Sequence, residues 1–414
     1  MADKIYGLLG RKLAHSYSVT LHNALGCKGY KLIEIEPDDL GEFFKKHEKI
    51  GGLNVTIPYK REVMRYLDEI SAEARAIGSV NTIVGRNGRL IGYNTDACGF
   101  VYMSKRASID LAGKKVLIFG SGGASLAVKY AAGRLNAGKV VTISRSGENN
   151  YKNIAIHKDT DIIVNATPVG MFPDVGVSAA DINVFDNLSG VIDLIYNPLR
   201  TALIVEAQKK NIKTAGGLTM LAAQAKASEE IFFEKEIDDN AVENTICDLL
   251  HKKTNIVLIG MPGSGKNSVG SVLAEISGRK IIDIDKTIEK NADMAIPEIF
   301  KKYGEQGFRK MEKETISQAG LETGKIIITG GGAVLDHDNY LPMRQNGRIY
   351  EIARSTRFLA RKGRPLSEGS DLDAMYANRR PYYERFRDAV ADNDRTPAEC
   401  AEKIWRDFCE NTGH

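Results

Sequence analysis

The sequence predicts an α/β protein with more than one domain. Apolar runs alternate with amphipathic stretches along the whole chain, as strands alternate with helices in this class. A glycine-rich loop, Gly120–Ser125, follows the apolar run VLIF and precedes an alanine-rich helical stretch. A second loop, Gly260–Asn267, follows NIVLI and ends in Gly-Lys-Asn. Each loop is typical of a site where the N-terminus of a helix binds phosphate, so we expect two nucleotide-binding domains in one chain.

Length and composition are those of a globular protein with two or three domains. The chain has 414 residues, of which 43% are hydrophobic and 27% charged. The net charge of +4 is too diffuse to indicate a nucleic-acid partner. Because no apolar run spans a membrane and no signal peptide precedes the first domain, we expect a cytoplasmic protein without a membrane partner. The five scattered cysteines form no C-x-x-C, which predicts reduced thiols rather than disulfides or a zinc site.

Two domains are predicted in the first part of the chain. Residues 1–100 contain the strand-like runs IYGLLG, YKLIEIEP and GGLNVTIP. The stretch NTIVGRNGRLIGYNT is a predicted hairpin, because Asn87-Gly88 is a strong turn signal between two apolar runs. Residues 101–237 contain VLIFG, VVTIS, DIIVNAT and GVIDLIY with helical stretches between them. This second alternation predicts a doubly wound dinucleotide-binding (Rossmann) domain.

A further α/β domain is predicted at residues 253–414, with the strands NIVLIG, IIDID, IIITGG and RIYEIA. Its loop fits G-x-x-x-x-G-K, which predicts a P-loop domain with a parallel sheet. The segment Glu230–Asn255 before it is charged, helix-like and free of glycine. We place a linker at 238–252, with the domain junction near Lys252.

The first loop is predicted to bind NADPH. Its strand-loop-helix context favours a dinucleotide over a tight turn. The next strand ends in an arginine, Arg145, where an NAD enzyme has an acidic residue, and a guanidinium there suits the 2′-phosphate of NADP. A solvated surface arginine is the alternative. The predicted cofactor residues are Gly120, Ser121, Gly122, Gly123, Ala124, Ser144, Arg145 and Ser146.

Ordered polar motifs resemble the shikimate dehydrogenase family across nearly all of residues 1–237. They are His15-Ser16-Tyr17-Ser18 with Leu21-His22-Asn23, Asn54-Val55-Thr56-Ile57-Pro58-Tyr59-Lys60, Ser79-Val80-Asn81-Thr82, Asn94-Thr95-Asp96, Asn165-Ala166-Thr167-Pro168, Asp193-Leu194-Ile195-Tyr196-Asn197-Pro198, and Met220-Leu221 with Gln224. Val19 stands where that family has proline, which predicts a less rigid turn there. The resemblance implies reduction of 3-dehydroshikimate to shikimate with NADPH.

The resemblance also implies the residues of the reductase site. Those facing the substrate are Ser16, Ser18, Thr56, Lys60, Asn81, Asp96, Tyr196 and Gln224, and those along the nicotinamide are Leu194 and Gly217. Reducing a ring ketone needs a hydride on one face and a proton at the carbonyl oxygen. Lys60 beside Asp96 supplies a proton-sharing pair, and either of them is a candidate donor. A plain salt bridge is the alternative.

From Asn255 onward the chain resembles shikimate kinase over essentially its whole length. The motifs are the loop ending in Lys266, Asp283-Ile284-Asp285 at the end of the second strand, Gly304-Glu305 with Phe308-Arg309 and Glu312, Gly330-Gly331-Gly332, Arg364-Pro365-Leu366, Arg379-Arg380-Pro381 with Tyr383, and Arg395-Thr396-Pro397. The resemblance implies phosphorylation of shikimate by ATP and Mg²⁺. Two arginines on one carboxylate agree with that substrate, because guanidinium groups bind planar anions bidentately.

The same resemblance implies roles in the kinase site. The ATP-binding residues are Gly263, Ser264, Gly265, Lys266, Asn267, Ser268, Arg364 and Arg395. The shikimate-binding residues are Asp285, Arg309, Gly331 and Arg379, and the predicted catalytic residues are Lys266, Asp285 and Arg364. The magnesium ligands are Asn267 and Asp283, although Asn267 stands where the family has Ser or Thr. The stretch before Arg364 is also short for the lid of that family.

We therefore predict a bifunctional shikimate-pathway enzyme whose first half makes the substrate of the second. Its partners are small molecules, 3-dehydroshikimate and shikimate. One alternative is an active dehydrogenase joined to a degenerate kinase module that binds but does not phosphorylate, which Asn267 favours. Another is a dehydrogenase that acts on quinate with NAD, which Arg145 disfavours.

Overall fold

The computed structural model describes residues 4–13, 16–45, 49–359 and 371–412. The chain divides into two units, Met1–Ile246 and Cys247–His414. Within the described ranges, no helix is both long enough and apolar enough to cross a membrane. All five cysteines carry free thiols, as their spacing predicts.

The first unit begins with a mixed sheet of six strands. They are β1 (Ile5–Gly10), β2 (Lys31–Glu34), β3 (Ile50–Val55), β4 (Glu69–Ile70), β5 (Thr82–Arg86) and β6 (Arg89–Tyr93), in the order β2-β1-β3-β5-β6-β4. The predicted hairpin is confirmed: β5 and β6 are antiparallel, and Asn87 (φ 51°) and Gly88 (φ 77°) form the turn. Both residue types tolerate positive φ, which this turn requires. The two-residue strand β4 was not predicted from the sequence.

Among its described residues this first domain also has three short α-helices: α1 (Ser18–Leu25), α2 (Leu40–Lys45) and α3 (Ala72–Ile77). Its core contains Leu9, Leu53 and Tyr59, all with no exposed surface. Burying side chains of this size contributes about 1.5–3 kcal/mol each relative to solvent exposure. This core supports the ends of β1 and β3, which precede the motifs around Ser16 and Lys60.

The second sheet of the first unit is entirely parallel. Its strands are β7 (Lys115–Phe119), β8 (Lys139–Ile143), β9 (Ile162–Asn165), β10 (Gly190–Asp193) and β11 (Lys213–Gly216), in the order β11-β10-β9-β7-β8. The helices are α4 (Asp96–Arg106), α5 (Gly123–Arg134), α6 (Ala202–Lys209) and α7 (Gly217–Phe233). Apolar clusters cover both faces of the sheet, as a parallel sheet requires. Four of the five strands were predicted, whereas β11 is short and partly polar and was not.

Helix α7 returns to the first domain. It packs against α1 and α4, and the Phe232 ring lies so close to Gly52 that a side chain at position 52 would overlap it. Helix α7 thereby joins the two sheets of the first unit and carries Gln224 between them.

The segment predicted as a linker forms a helix. Helix α7 ends at Phe233, Glu234 adopts a left-handed conformation (φ 52°), and α8 follows at Asp239–Lys253. The boundary between the two units falls between Ile246 and Cys247, inside α8 and within the segment 238–252 predicted as the linker. The sequence predicts one continuous helix here, because the segment is charged and contains no glycine. The break after Phe233 was missed because neither glycine nor proline stands at it.

The second unit is a parallel sheet flanked by helices. Its strands are β12 (Asn255–Ile259), β13 (Ile281–Asp283), β14 (Ile326–Ile328), β15 (Gly347–Ala353) and β16 (Ala389–Asp392), in the order β13-β14-β12-β15-β16. Its helices are α9 (Lys266–Ser277), α10 (Ile284–Ala292), α11 (Ile296–Leu321), α12 (Tyr340–Gln345), α13 (Leu372–Phe386) and α14 (Pro397–Asn411). Apolar clusters cover both faces. The predicted α/β class with parallel sheets is therefore confirmed in both units.

One motif lies differently from its prediction. Strand β13 ends at Asp283, and the Asp283 carboxylate accepts a hydrogen bond from the backbone N–H of Lys286 at 3.1 Å. Asp283 therefore caps α10, so Asp285 belongs to the first helical turn and not to the strand end. A capping aspartate followed by isoleucine is ambiguous in sequence, because isoleucine favours strands but is also common at buried positions of any element.

Candidate active sites

The first glycine-rich loop connects β7 to α5. A side chain at Gly120 would lie 2.9 Å from the Ala166 carbonyl oxygen, whereas one at Gly122 would meet nothing within 4 Å. Gly122 is the N-cap of α5, so the open space lies in front of the first helical N–H groups. Ser125 Oγ donates to the Gly120 carbonyl at 2.6 Å, which holds the loop closed on itself. This open space at the N-terminus of α5 fits a dinucleotide pyrophosphate, as the sequence predicts.

The residues predicted to bind the 2′-phosphate of NADP lie at the end of β8. Ser144, Arg145 and Ser146 follow the strand directly, and Arg145 and Ser146 are exposed. The backbone N–H of Ser144 donates to the Asn149 carbonyl at 3.2 Å, so the segment turns back after Arg145. Arg145 therefore stands at the neighbouring strand end, where a dinucleotide's ribose lies in this fold class.

Lys60 and Asp96 meet at the boundary between the two domains of the first unit. Lys60 Nζ donates to Asp96 Oδ2 at 2.5 Å, and their side chains are only 15% and 7% exposed. Asp96 is the first residue of α4, where the helix dipole favours a carboxylate. A side chain at Gly123 would lie 3.2 Å from Lys60 Cβ, so the cofactor loop lies directly against this pair.

Asn81 and Gln224 join the same cluster. Asn81 Nδ2 donates to Asp96 Oδ1 at 2.9 Å and to Thr95 Oγ1 at 3.0 Å. Gln224 Oε1 is 3.5 Å from both Asn81 Nδ2 and Thr95 Oγ1. The four predicted residues Lys60, Asn81, Asp96 and Gln224 are thus brought together.

A buried hydroxyl network beneath this cluster was missed in the sequence. Ser228 Oγ lies 3.1 Å from Thr95 Oγ1 and 3.0 Å from Thr82 Oγ1, and it accepts from Asn54 Nδ2 at 2.7 Å. All four residues are at most 3% exposed. Thr82, Thr95 and Asn54 stand inside or beside the quoted motifs, which is the one signal that pointed to them. The network fixes the backbone that carries Asn81 and Asp96.

The predicted carboxylate-binding serines form a second cluster. Ser16 Oγ donates to Ser18 Oγ at 3.0 Å, and Ser16 also hydrogen-bonds the Tyr196 hydroxyl. Burial raises the pKa of Tyr196, and the Ser16 contact opposes that shift. The Tyr17 and Tyr196 rings pack 5.2 Å apart. Hydroxyls of this kind are suitable donors to a substrate carboxylate.

Other predicted residues of the reductase are placed with less direct contact. Thr56 donates its backbone N–H to the Leu9 carbonyl at 2.9 Å, and among the described residues its side chain forms no hydrogen bond to either cluster. Val19 lies within the regular helix α1, so the segment does not need the proline to turn.

Leu194 and Gly217 lie against each other. A side chain at Gly217 would overlap the Leu194 carbonyl, so only glycine fits at the start of α7. Asp193, fully buried, accepts from Asn165 Nδ2, Ile195 N and Thr201 Oγ1 at 2.7–3.0 Å. Burial raises the pKa of Asp193 to about 6. Those three bonds hold the strand end that carries Leu194.

The second glycine-rich loop connects β12 to α9. Lys266, the first residue of α9, is 7% exposed, and its Nζ donates to the carbonyls of Gly260 and Met261 at 2.8 and 3.0 Å. The ammonium group therefore lies inside the loop, where a phosphate of a nucleotide would bind. Gly263, Ser264 and Gly265 precede Lys266 in the loop, and the buried Ser264 Oγ has no hydrogen-bond partner among the described residues. The loop fits a nucleoside triphosphate.

The predicted magnesium ligands touch each other. Asn267 Nδ2 donates to Asp283 Oδ2 at 2.7 Å, so the amide presents its nitrogen to the carboxylate. Rotating the Asn267 amide by half a turn places its oxygen beside Asp283 Oδ2. Two neighbouring oxygen ligands of an octahedral Mg²⁺ lie about 3 Å apart, which is close to this separation. The pair therefore fits Mg²⁺ once the amide has rotated. Among the described residues there is no larger cluster of acidic, His or Cys side chains suited to a metal.

Asp285 lies beside Glu312 at the glycine run. A side chain at Gly330 would lie 2.9 Å from Asp285 Oδ1 and 2.7 Å from Glu312 Oε1. Both oxygens are buried, and neither has a hydrogen-bond partner in the part of the chain that the structure describes. Burial raises the pKa of Asp285; Lys266 opposes the shift and the Asp283 carboxylate adds to it. These two carboxylate oxygens face the same space. Because buried acceptors normally receive hydrogen bonds, this space is suited to substrate hydroxyls.

The two predicted carboxylate arginines converge on the same loop. Arg309 donates to Glu312 Oε2 at 2.7 Å, and its guanidinium fills the space in which a side chain at Gly332 would lie. Arg379 Nη1 donates to the Gly331 carbonyl at 3.1 Å, and the Tyr383 hydroxyl donates to the same oxygen at 2.7 Å. Arg309, Gly331 and Arg379 are thus brought together, from helices α11 and α13.

Two of the remaining predicted kinase residues lie at the surface. Arg364 lies outside the described residues. Ser268 is exposed on the first turn of α9, and Arg395 is exposed between β16 and α14. Thr396 caps α14 by accepting from the Glu399 N–H at 3.2 Å. The two sites define the class of protein: a dinucleotide-dependent reductase joined in one chain to a P-loop phosphotransferase.

Comparisons with known proteins agree with both sites. Residues 8–83 match the shikimate dehydrogenase substrate binding domain, and residues 262–409 match shikimate kinase. The NADP(+) shikimate dehydrogenase of Clostridium beijerinckii is 38% identical over 259 residues, 58% of this chain and 96% of that protein. A chorismate mutase/shikimate 5-dehydrogenase fusion from Clostridium acetobutylicum is 37% identical, with a TM-score of 0.56 over 59% of this chain and 96% of that one.

A third comparison includes bound ligands. The shikimate 5-dehydrogenase of Thermus thermophilus, solved with NADP(H) and shikimate, is 30% identical, with a TM-score of 0.53 over 58% of this chain and 98% of that one. The chain belongs to the shikimate dehydrogenase family, and it carries a shikimate kinase domain after the dehydrogenase.

Proposed function

We propose that the chain is a bifunctional enzyme that reduces 3-dehydroshikimate to shikimate with NADPH and then phosphorylates shikimate at its 3-hydroxyl with ATP and Mg²⁺. The observation that carries the proposal is the contact of Gly123 with Lys60, because it brings a cofactor loop against a proton-sharing pair. NADPH and ATP are soluble cosubstrates of the cytoplasm, and we place the enzyme there.

In the first unit, NADPH supplies the hydride and the protein supplies the proton. Lys60 and Asp96 share one short hydrogen bond and are shielded from water, so a proton on this pair is available to a carbonyl oxygen. Asn81 holds the second oxygen of Asp96 and so orients the carboxylate. Ser16 and Ser18 donate to the substrate carboxylate, which fixes the ring against the pair.

In the second unit, the protein positions two reactants and neutralises charge. Lys266 binds the phosphates, and Arg309 and Arg379 bind the shikimate carboxylate. Asp285 accepts the proton of the attacking hydroxyl, and its raised pKa makes it a better base than an exposed aspartate. Mg²⁺, held by Asp283 and Asn267, supplies charge neutralisation on the triphosphate when bound.

A second candidate function is a kinase module that binds ligands without phosphorylating them. The hydrogen bond from Asn267 Nδ2 to Asp283 favours it, because it occupies the carboxylate needed by the metal. The intact arrangement of Lys266, Asp285, Arg309 and Arg379 supports the active form. We therefore favour an active kinase that requires the Asn267 amide to rotate.

A coupled assay of the whole chain distinguishes these functions. With 3-dehydroshikimate, NADPH, ATP and Mg²⁺ we expect NADPH oxidation followed by formation of shikimate 3-phosphate, detected by mass spectrometry. Lys266→Met should stop the sequence at shikimate and leave NADPH oxidation unchanged. Accumulation of shikimate by the native chain at every Mg²⁺ concentration would establish the binding module instead. Equal kcat/KM for quinate with NAD and for shikimate with NADP would contradict the assigned dehydrogenase substrate.

A further inference from the structure

An arginine with no assigned role lies beside the second glycine-rich loop. Arg354 follows β15 directly, at the edge where parallel strands of this class end next to their ligand. A side chain built at Gly265 would lie 3.8 Å from Arg354 Nη1. The guanidinium is therefore against the last residue of the loop before Lys266.

The position of Arg354 is determined by the sheet and not by a flexible segment. Strand β15 pairs with β12, which leads into the loop, and with β16 on its other side. The backbone N–H of Asn393 donates to the Ala353 carbonyl at 2.8 Å, immediately before Arg354. The backbone that carries Arg354 is thus fixed relative to the loop before any ligand binds.

A second contact holds the loop against this strand end. Asn393 is 2% exposed, and its Nδ2 donates to the Ser264 carbonyl at 2.7 Å. Its side chain occupies the space beside Gly265, so any larger residue at position 265 would collide with it. Gly265 also has a φ of 94°, which glycine adopts without strain.

Three polar atoms around this contact have no hydrogen-bond partner among the described residues. They are Arg354 Nε, Asn393 Oδ1 and Ser264 Oγ, and each is buried. Within the described ranges, no carboxylate forms an ion pair with Arg354; the nearby Asp394 carboxylate accepts from the Ser355 N–H at 2.6 Å. A buried donor without a partner destabilises the unliganded state, and the effect is larger when the donor is charged. A ligand that satisfies Arg354 would therefore be stabilised by that contact.

We propose that Arg354 binds the polyphosphate of the nucleotide in this loop. A planar guanidinium with several N–H donors matches a phosphate oxygen pair, and the adjacent loop already presents backbone N–H groups and Lys266 to the same anion. Arg354 adds a positive charge beside the loop, and its backbone is held in place because it directly follows a paired strand. The inference rests on the proposed use of ATP by the second unit, but only on its binding and not on phosphoryl transfer.

The test is the affinity of the full chain for ADP, measured by isothermal titration calorimetry without shikimate. Arg354→Ala should raise the Kd for ADP about ten- to a hundred-fold, the loss expected for one charge-assisted contact of about 1.5–3 kcal/mol. Arg354→Lys should give a smaller rise, because it keeps the charge but not the planar donor pair. Arg357→Ala is the matched control: it removes the same charge from an exposed position in the same segment and should leave the Kd unchanged.

Thermal unfolding separates ligand binding from a structural role. Because no carboxylate among the described residues forms an ion pair with Arg354, Arg354→Ala should not lower the Tm of the unliganded chain, whereas it should reduce the Tm increase caused by ADP. An unchanged Kd for ADP in Arg354→Ala, or a Kd change matched by Arg357→Ala, overturns the proposal. Arg354-dependent ADP binding in a chain that forms no shikimate 3-phosphate would support this inference and contradict only the proposed kinase activity.

Discussion

Replacing Lys60 with methionine tests the reductase site most directly. Methionine keeps much of the side-chain volume against Gly123 but removes the ammonium group that donates to Asp96. Asp96 retains the bond from Asn81 Nδ2 at 2.9 Å, so the carboxylate keeps one partner in a site where it is 7% exposed. The change therefore removes the proton-sharing pair and leaves the rest of the cluster in place.

Two effects of Lys60→Met follow from this geometry, one on kcat and one on the stability of the first unit. Loss of a positioned proton donor lowers kcat about 10²–10⁴-fold, which corresponds to about 2.7–5.4 kcal/mol in the barrier. Loss of one hydrogen bond to a charged group destabilises the first unit by about 1.5–3 kcal/mol. The activity loss should therefore be large while the protein still folds, since native domains are stable by about 5–15 kcal/mol.

The assay follows NADPH oxidation with 3-dehydroshikimate, and shikimate-dependent ATP use by the same variant is the internal control. We expect kcat to fall and ATP use to remain near the native value. The double variant Lys60→Met/Asp96→Asn should lose no more activity than the worse single variant, because the two residues act as one unit. A Lys60→Met kcat within tenfold of the native value, with only KM raised, would show that Lys60 binds substrate and does not share its proton.

Three further predictions concern the cofactor, the metal and the base. Arg145→Ala should lower kcat/KM for NADPH about ten- to a hundred-fold and leave NADH kinetics unchanged; equal losses with both cofactors would exclude Arg145 as the selector. Asn267→Ser should lower the Mg²⁺ concentration that gives half-maximal shikimate phosphorylation, because a hydroxyl offers oxygen without an opposing NH₂ group; superimposed titration curves would show that Asn267 is harmless. Asp285 must be ionised to act as a base and burial raises its pKa, so kinase kcat/KM should fall on acidification at a higher pH than the usual aspartate value of about 3.9. A pH profile that is flat down to that value would contradict this role.

Much of the fold could be predicted from local sequence patterns. Long apolar runs such as VLIF and NIVLI form β7 and β12, and the Asn87-Gly88 turn forms the hairpin, because these signals act within a few residues. The strands that were missed, β4, β11 and β16, are short and contain polar residues. The break between α7 and α8 was missed because Glu234 adopts positive φ without a glycine.

The candidate site residues were predicted from ordered motifs, whereas their supporting contacts were not. Lys60 and Asp96 are 36 residues apart and were paired only through the family resemblance; the structure shows the 2.5 Å hydrogen bond. Ser228 supports Thr95 across 133 residues, and nothing near Ser228 in the sequence indicates that role.

The sequence by itself determined the two phosphate-binding loops, the strand-helix alternation and the order of the domains, because each depends on neighbouring residues. Only the tertiary structure decided which residues lie next to each other: Asp285 with Glu312, Asn267 with Asp283, and Arg354 with Gly265. The reason is that a parallel sheet joins strands distant in the chain and brings the loops after their carboxyl ends to one edge. A single carboxylate, amide or guanidinium has no local periodicity, so its partner appears only when that edge has formed.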